Sequence, residues 1–132
     1  MKFIDVIRVD LDARTAEGSL FVDPVDDYLK DHFPGAPMLP GLLMLEASVR
    51  TAAALWAAAG APPVPAATLE QVDRLHIVRP VVPGKALTVH VVFAADPLQE
   101  RTARFTAHGV VDEETVVRAT FRLRAITQEV SR

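Results

Sequence analysis

The chain has 132 residues, of which 50% are hydrophobic and 23% charged, and its formal net charge is −3. This length predicts a single domain over residues 1–132, and the slightly acidic balance argues against a nucleic-acid-binding protein. No cysteine is present, which excludes disulfides, thiolate metal sites and a cysteine nucleophile. The N-terminus lacks a signal-peptide core, and Glu46 and Arg50 interrupt the longest apolar segment. We therefore expect a cytoplasmic protein without a membrane span.

The first part of the chain predicts a β-hairpin. Residues 3–11 are rich in Ile and Val and alternate imperfectly with polar residues, which is typical of a strand. Ala13 to Gly18 are predicted to form the turn, and residues 19–23 the returning strand. Residues 24–31 place acidic side chains after a proline and predict a short helical turn or a loop.

One long helix is predicted in the middle of the chain. It should begin near Pro40, because proline is tolerated in a first helical turn, and end near Gly60. Its sequence is apolar on nearly every side, which is typical of a helix wrapped by other structure. Four strands are then predicted, at residues 69–78, 86–96, 101–111 and 115–126. The order indicates an α+β fold in which this helix packs against an antiparallel sheet.

Two sequence blocks carry a family resemblance. The first, HFPGAPMLPGLLMLEA (residues 32–47), places a histidine on a loop rich in proline and glycine and a glutamate inside the helix. The second, RPVVPGKAL (residues 79–87), follows downstream. In this order they resemble the signature of the bacterial 3-hydroxyacyl-[acyl-carrier-protein] dehydratases. The resemblance implies a hotdog fold, with a long central helix wrapped by a curved antiparallel β-sheet.

The same resemblance implies an activity. A dehydratase of this family converts a 3-hydroxyacyl thioester on an acyl carrier protein to the trans-2-enoyl thioester, in fatty-acid or specialised polyketide- or polyene-type biosynthesis. His32 would be the base that removes the α-proton, and Glu46 the acid that protonates the departing hydroxyl. The Gly41 amide would bind the oxyanion. The family forms homodimers with shared active sites, so His32 of one subunit would meet Glu46 of the other.

Further expectations concern the substrate and the partners. Residues expected to contact the substrate are Phe33, Pro40, Leu42 and Arg79. The substrate would arrive on the phosphopantetheine of the carrier, so no metal and no other cofactor is expected. Arg79, with Arg74 and Lys85, would suit an acidic carrier. Assembly beyond the dimer is left open by the sequence.

Two departures from the family pattern keep alternatives open. Arg50 stands one helical turn after Glu46, where it can pair with the carboxylate and oppose a protonated acid. Asp31 precedes His32, where a carboxylate can favour the charged imidazole. The alternatives are an acyl thioesterase of the same fold and a non-catalytic subunit that binds acyl carriers. Dehydration without release of free acid separates the main prediction from both.

Overall fold

The structure, a computed structural model, describes residues 6–22, 41–60, 64–94 and 101–126. Within these ranges the chain forms six strands and one helix. In chain order they are β1 (Val6–Asp10), β2 (Thr15–Phe21), α1 (Gly41–Ala59), β3 (Ala67–Ile77), β4 (Ala86–Phe93), β5 (Thr102–Val111) and β6 (Glu114–Ala125). The loop or helical turn predicted at 24–31 lies outside the described residues.

The six strands form one sheet in the order β1-β2-β4-β5-β6-β3, and all neighbouring strands are antiparallel. β1 and β3 are therefore its two edges. The helix α1 contacts every one of the six strands. This arrangement confirms the α+β prediction of a central helix packed against an antiparallel sheet.

The core divides into two clusters on the helix side of the sheet. Aromatic rings dominate the first cluster, where Phe105 lies 6.1 Å from Trp56 and 6.0 Å from Phe121 between ring centroids. Aliphatic side chains fill the second cluster, which includes Met44 of α1 and Val81 of the second sequence block. The second cluster therefore joins the part of the first block that the structure describes, from Gly41 onwards, to the second block.

The helix α1 is a core helix in this fold. An 18-residue segment of α1 has a mean hydropathy of 1.3, which by length and composition alone would suit a membrane span. Half of that segment is nevertheless buried inside the protein. Its two buried polar side chains are satisfied within the helix, since Ser48 Oγ donates to the Met44 carbonyl (3.1 Å) and Thr51 Oγ1 to the Ala47 carbonyl (2.8 Å).

The turn predicted at Ala13 to Gly18 is wrong. Strand β2 already begins at Thr15, and the connection is the shorter Leu11–Arg14 segment. The Ala13 amide donates to Asp10 Oδ1 across this connection (3.1 Å). Gly18 is buried within β2 and serves as a small inward-facing residue there, although its glycine identity suggested a turn.

Candidate active site

Gly41 is the first residue of α1 and lies against the end of β3. As a first-turn residue, its amide has no acceptor within the helix, and the helix dipole favours negative charge beside it. A Cβ at this position would lie 3.3 Å from two side-chain atoms of Ile77. The glycine therefore lets the start of α1 pack closely against Ile77, and its role as an oxyanion donor stays a prediction.

Glu46 lies in the second turn of the same helix, and its carboxylate is accessible. The Arg50 Nε donates to Glu46 Oε1 at 3.1 Å, forming an ion pair across one helical turn. The two side chains are 46% and 54% exposed for Glu46 and Arg50, respectively. The pairing that the spacing of Arg50 and Glu46 allowed is therefore formed. In the single chain, one oxygen of the candidate acid is thus paired with Arg50.

The second block is joined to the strand that leads into the first block. The Val22 amide donates to the Lys85 carbonyl (2.9 Å), and the Gly84 amide donates to the Val22 carbonyl (2.8 Å). Gly84 has a φ of 89°, a conformation that favours glycine. Val22 and Val81 are buried together under α1. The turn of the second block therefore holds the end of β2 in place, directly before the segment that carries His32.

The basic side chains of the second block are neutralised within the chain. Arg79 forms an ion pair with Glu114, and Lys85 Nζ lies 2.8 Å from Asp112 Oδ2. The hydrogen bond to Asp112, and then its charge, raise the pKa of Lys85. Of the three cations expected to suit an acidic carrier, two are thus paired with acidic residues near the β5–β6 turn.

Of the remaining predicted site residues, the structure describes some and leaves others outside its described ranges. Leu42, next to Gly41, is 73% exposed, so a large apolar side chain lies on the surface beside the N-terminus of α1. His32, Phe33, Pro40 and Asp31 lie outside the described residues, so their predicted roles stay predictions. Within the part of the chain that the structure describes, no group of three or more His, Asp or Glu side chains is arranged to hold a metal ion.

Sequence reasoning missed the organisation of the opposite, outer face of the sheet. His90 of β4 stacks on His108 of β5 with 5.0 Å between the ring centroids, and Glu17 Oε2 lies 3.6 Å from His90 Nδ1. Burial, followed by the charges of His90 and Arg118, lowers the pKa of His108. The alternation of these strands could have placed the residues on one face, but not the strand order that brings them together.

Comparison with known proteins identifies related dehydratases. Residues 8–119 match the family of ApeI-like proteins, described as ApeI dehydratase. A 3-hydroxyacyl-[acyl-carrier-protein] dehydratase FabZ of Acidiphilium cryptum is 33% identical over 98 residues, which cover 73% of this chain and 58% of the relative. The FabZ of Rhodospirillum rubrum is 29% identical over 97% of this chain and 78% of its own length. Against the first of these, the chain spans less than two thirds of the relative's length.

Solved structures share the fold. The dehydratase heterocomplex ApeI:P from Xenorhabdus doucetiae contains a chain that superposes with a TM-score of 0.69 at 20% identity, covering 92% of this chain and 96% of that one. A putative thioesterase from Ralstonia eutropha superposes with a TM-score of 0.70 at 20% identity, covering 91% and 83%. At these identities the likeness concerns the fold, and it confirms the hotdog architecture.

Proposed function

Because the chain belongs to the family of ApeI-like dehydratases, we propose that it dehydrates a 3-hydroxyacyl thioester on an acyl carrier protein to the trans-2-enoyl thioester. The observation that carries this proposal is the extent of the family match. It includes Gly41, Glu46 and the whole second block. The curated relatives are named for the same reaction.

The proposed roles follow from what the reaction needs. His32 removes the α-proton, Glu46 of the partner subunit protonates the departing hydroxyl, and the Gly41 amide stabilises the charge on the thioester oxygen. The accessible Glu46 carboxylate and the position of Gly41 as the first residue of α1 support two of these roles. No metal or redox cofactor takes part in this scheme. The exposed Leu42 beside Gly41 would contact the acyl chain or its tether.

We also propose a homodimer that pairs through β3. This strand is 11 residues long and forms an edge of the sheet. Leu69 and Val72 stand opposite the fully buried Leu123 and Phe121, so they face the helix side, yet they are 37% and 38% exposed. An edge strand with uncovered apolar side chains favours pairing with another chain. The proposal includes a cytoplasmic location and leaves further assembly open.

A second candidate function is that of a non-catalytic subunit that binds carriers. The ion pair between Arg50 and Glu46 favours it, because Arg50 engages one oxygen of the candidate acid. The similar chain from Xenorhabdus doucetiae belongs to a heterocomplex, so a partner that supplies the active acid is a coherent alternative.

Intact-mass spectrometry of a 3-hydroxyacyl carrier protein tests the proposal. Wild type should remove the mass of one water, and His32→Ala and Glu46→Gln should slow this step by about 10²–10⁴-fold, the usual contribution of a positioned acid or base. Glu17→Gln, a carboxylate on the outer face, is the matched control and should keep the wild-type rate. Release of free acid would indicate a thioesterase instead. Carrier binding without any change of mass would indicate the non-catalytic subunit.

A further inference from the structure

The outer face of β5, β6 and β3 carries five arginines, and three of them are neutralised. Arg104 Nε lies 3.1 Å from Asp73 Oδ2. Arg124 Nε donates to Glu70 Oε1 (2.5 Å). Arg122 Nε lies 2.9 Å from Glu70 Oε2 at an angle that does not meet hydrogen-bond geometry, while its Nη2 donates to Gln71 (2.6 Å). Two carboxylates thus serve three guanidinium groups.

Both carboxylates, Glu70 and Asp73, stand at irregularities of β3. In its pairing with β6, the register passes from Leu69 to Gln71 and from Val72 to Arg74, so Glu70 and Asp73 have no partner position. A bulge adds an unpaired residue and re-aims side chains. The two bulges therefore supply the negative charge at one half of the face.

The other half of the face has no such compensation. Arg118 stands opposite His108 of β5 on one side and His76 of β3 on the other. Arg74 occupies the neighbouring row, opposite Thr120. Among the described residues, no carboxylate lies within ion-pair distance of Arg74 or Arg118. The positive charge on this half is therefore left unbalanced.

These residues line one groove, which we call the outer groove. Its volume is about 410 Å³, and its polar lining consists of Arg74, Thr106, His108, Thr115, Arg118 and Thr120. After burial and the charge of His90, the charge of Arg118 also contributes to the lowered pKa of His108. Cations and hydroxyl donors thus converge on one open depression of the surface.

We propose that the outer groove binds a phosphate-type anion. Guanidinium groups present forked donors that match the oxygens of phosphate, and an anion with several oxygens can engage donors on neighbouring strands at once. The three threonine hydroxyls add donors without adding negative charge. The groove lies on the face opposite Gly41 and Glu46, so this inference stands apart from the proposed reaction.

Two kinds of molecule carry a phosphate group of this type. A phosphate ester of a free small molecule presents the anion alone, whereas the prosthetic arm of a carrier protein presents it as a phosphodiester. Both would place phosphate oxygens between Arg74 and Arg118. The experiment below separates them.

The first measurement is titration of the full chain with inorganic pyrophosphate at constant ionic strength, followed by amide NMR shifts. Saturable shifts should cluster at His108, Arg118 and Thr120. Arg118→Gln should weaken binding by about tenfold, as expected for one lost charge-assisted hydrogen bond. The matched control is Arg124→Gln, which removes the same charge from the same face of β6 while Glu70 keeps Arg122. This control should bind within about twofold of wild type.

An equal loss in Arg118→Gln and Arg124→Gln would overturn the proposal, because binding would then follow net charge rather than the groove. Absence of saturation would overturn it as well. Thermal unfolding of each variant checks that the fold is kept, and Arg118→Lys, which retains the charge but not the fork, should fall between wild type and Arg118→Gln.

The second measurement compares the carrier with and without its phosphopantetheine arm. If Arg118→Gln weakens binding of the arm-bearing form alone, the ligand is the phosphodiester of the arm. If neither form responds while pyrophosphate binding is lost, the ligand is a free phosphate ester. Equal weakening of both forms would show that the groove binds carboxylates of the carrier and would overturn the assignment to phosphate.

Discussion

At the scale of single residues, the Glu46–Arg50 pair sets the behaviour of the candidate site. Both side chains are about half exposed, and an i,i+4 pair of this kind contributes little to stability. Its consequence is chemical, since Arg50 occupies one oxygen of the carboxylate that we propose as the acid. Removing the cation should therefore change the reaction more than the fold.

We expect Arg50→Gln to raise the dehydration rate by about two- to fivefold, which corresponds to release of a pair worth about 0.5–1 kcal/mol. The rate is measured by mass spectrometry under single-turnover conditions. Arg50→Lys, which keeps a cation, is the control and should stay near wild type. A folded Arg50→Gln protein with a lower rate would mean that the arginine assists the reaction.

Gly109 of β5 lies where the core leaves no space for a side chain. A Cβ there would lie 2.6 Å from Val117 Cγ1 and 2.9 Å from Leu87 Cδ1, and both neighbours are buried. Gly109→Ala should lower the free energy of unfolding by about 1–3 kcal/mol, the usual effect of overpacking a core. Urea denaturation measures this loss. Thr106→Ala, on the outer face of the same strand, should change it by less than about 0.5 kcal/mol.

At the scale of elements, β3 determines the proposed assembly. Thr68 and Leu69 are neighbours on this strand but stand opposite Arg124 and Leu123, on different faces of the sheet. A charge at Leu69 would be placed in the apolar contact with a partner chain, whereas a charge at Thr68 would lie among polar groups.

Leu69→Glu should therefore produce a monomer, and Thr68→Glu should remain a dimer, as measured by analytical ultracentrifugation. Circular dichroism of both variants checks that the fold is retained. A wild-type chain that sediments as a monomer at micromolar concentration would contradict the proposed homodimer.

The elements also show how far the sequence could be interpreted. The helix bounds follow from Pro40 and Gly60, and the four strands after the helix agree with their predicted positions within a few residues. The bulges at Glu70 and Asp73 were not predictable, because a register shift depends on the partner strand. For the site, spacing predicted that Arg50 can reach Glu46 but not that it does.

At the scale of the whole molecule, the sheet separates two kinds of chemistry. Its inner face carries the apolar core, and its outer face carries a row of titratable side chains that crosses all six strands. The row consists of Arg8, Glu17, His90, His108, Arg118 and His76. His108 lies within this row, between His90 and Arg118, with Glu17 beyond His90 and His76 beyond Arg118.

This row predicts the acid response of the fold. The pKa of His108 is lowered in the folded state from an ordinary value of 6.5, so the unfolded chain takes up this proton first as the pH falls. Well above pH 6.5, His108 is neutral in both states and its titration does not change the free energy of unfolding. As the pH drops from 6.5 towards the lower pKa of the folded state, its titration lowers the free energy of unfolding progressively. His108→Gln should make the unfolding midpoint less sensitive to pH in that window, as followed by urea denaturation. An unchanged pH dependence would contradict this assignment.

The two bulges of β3 also bear on which chains can align with it. A regular edge offers evenly repeated donors and acceptors and accepts almost any extended peptide. β3 interrupts that repeat twice between Leu69 and Arg74. A strand of regular spacing from another protein therefore loses its hydrogen-bond register with β3 after a few residues. The same irregularities that carry Glu70 and Asp73 would thus act against pairing with mismatched strands and against fibril growth.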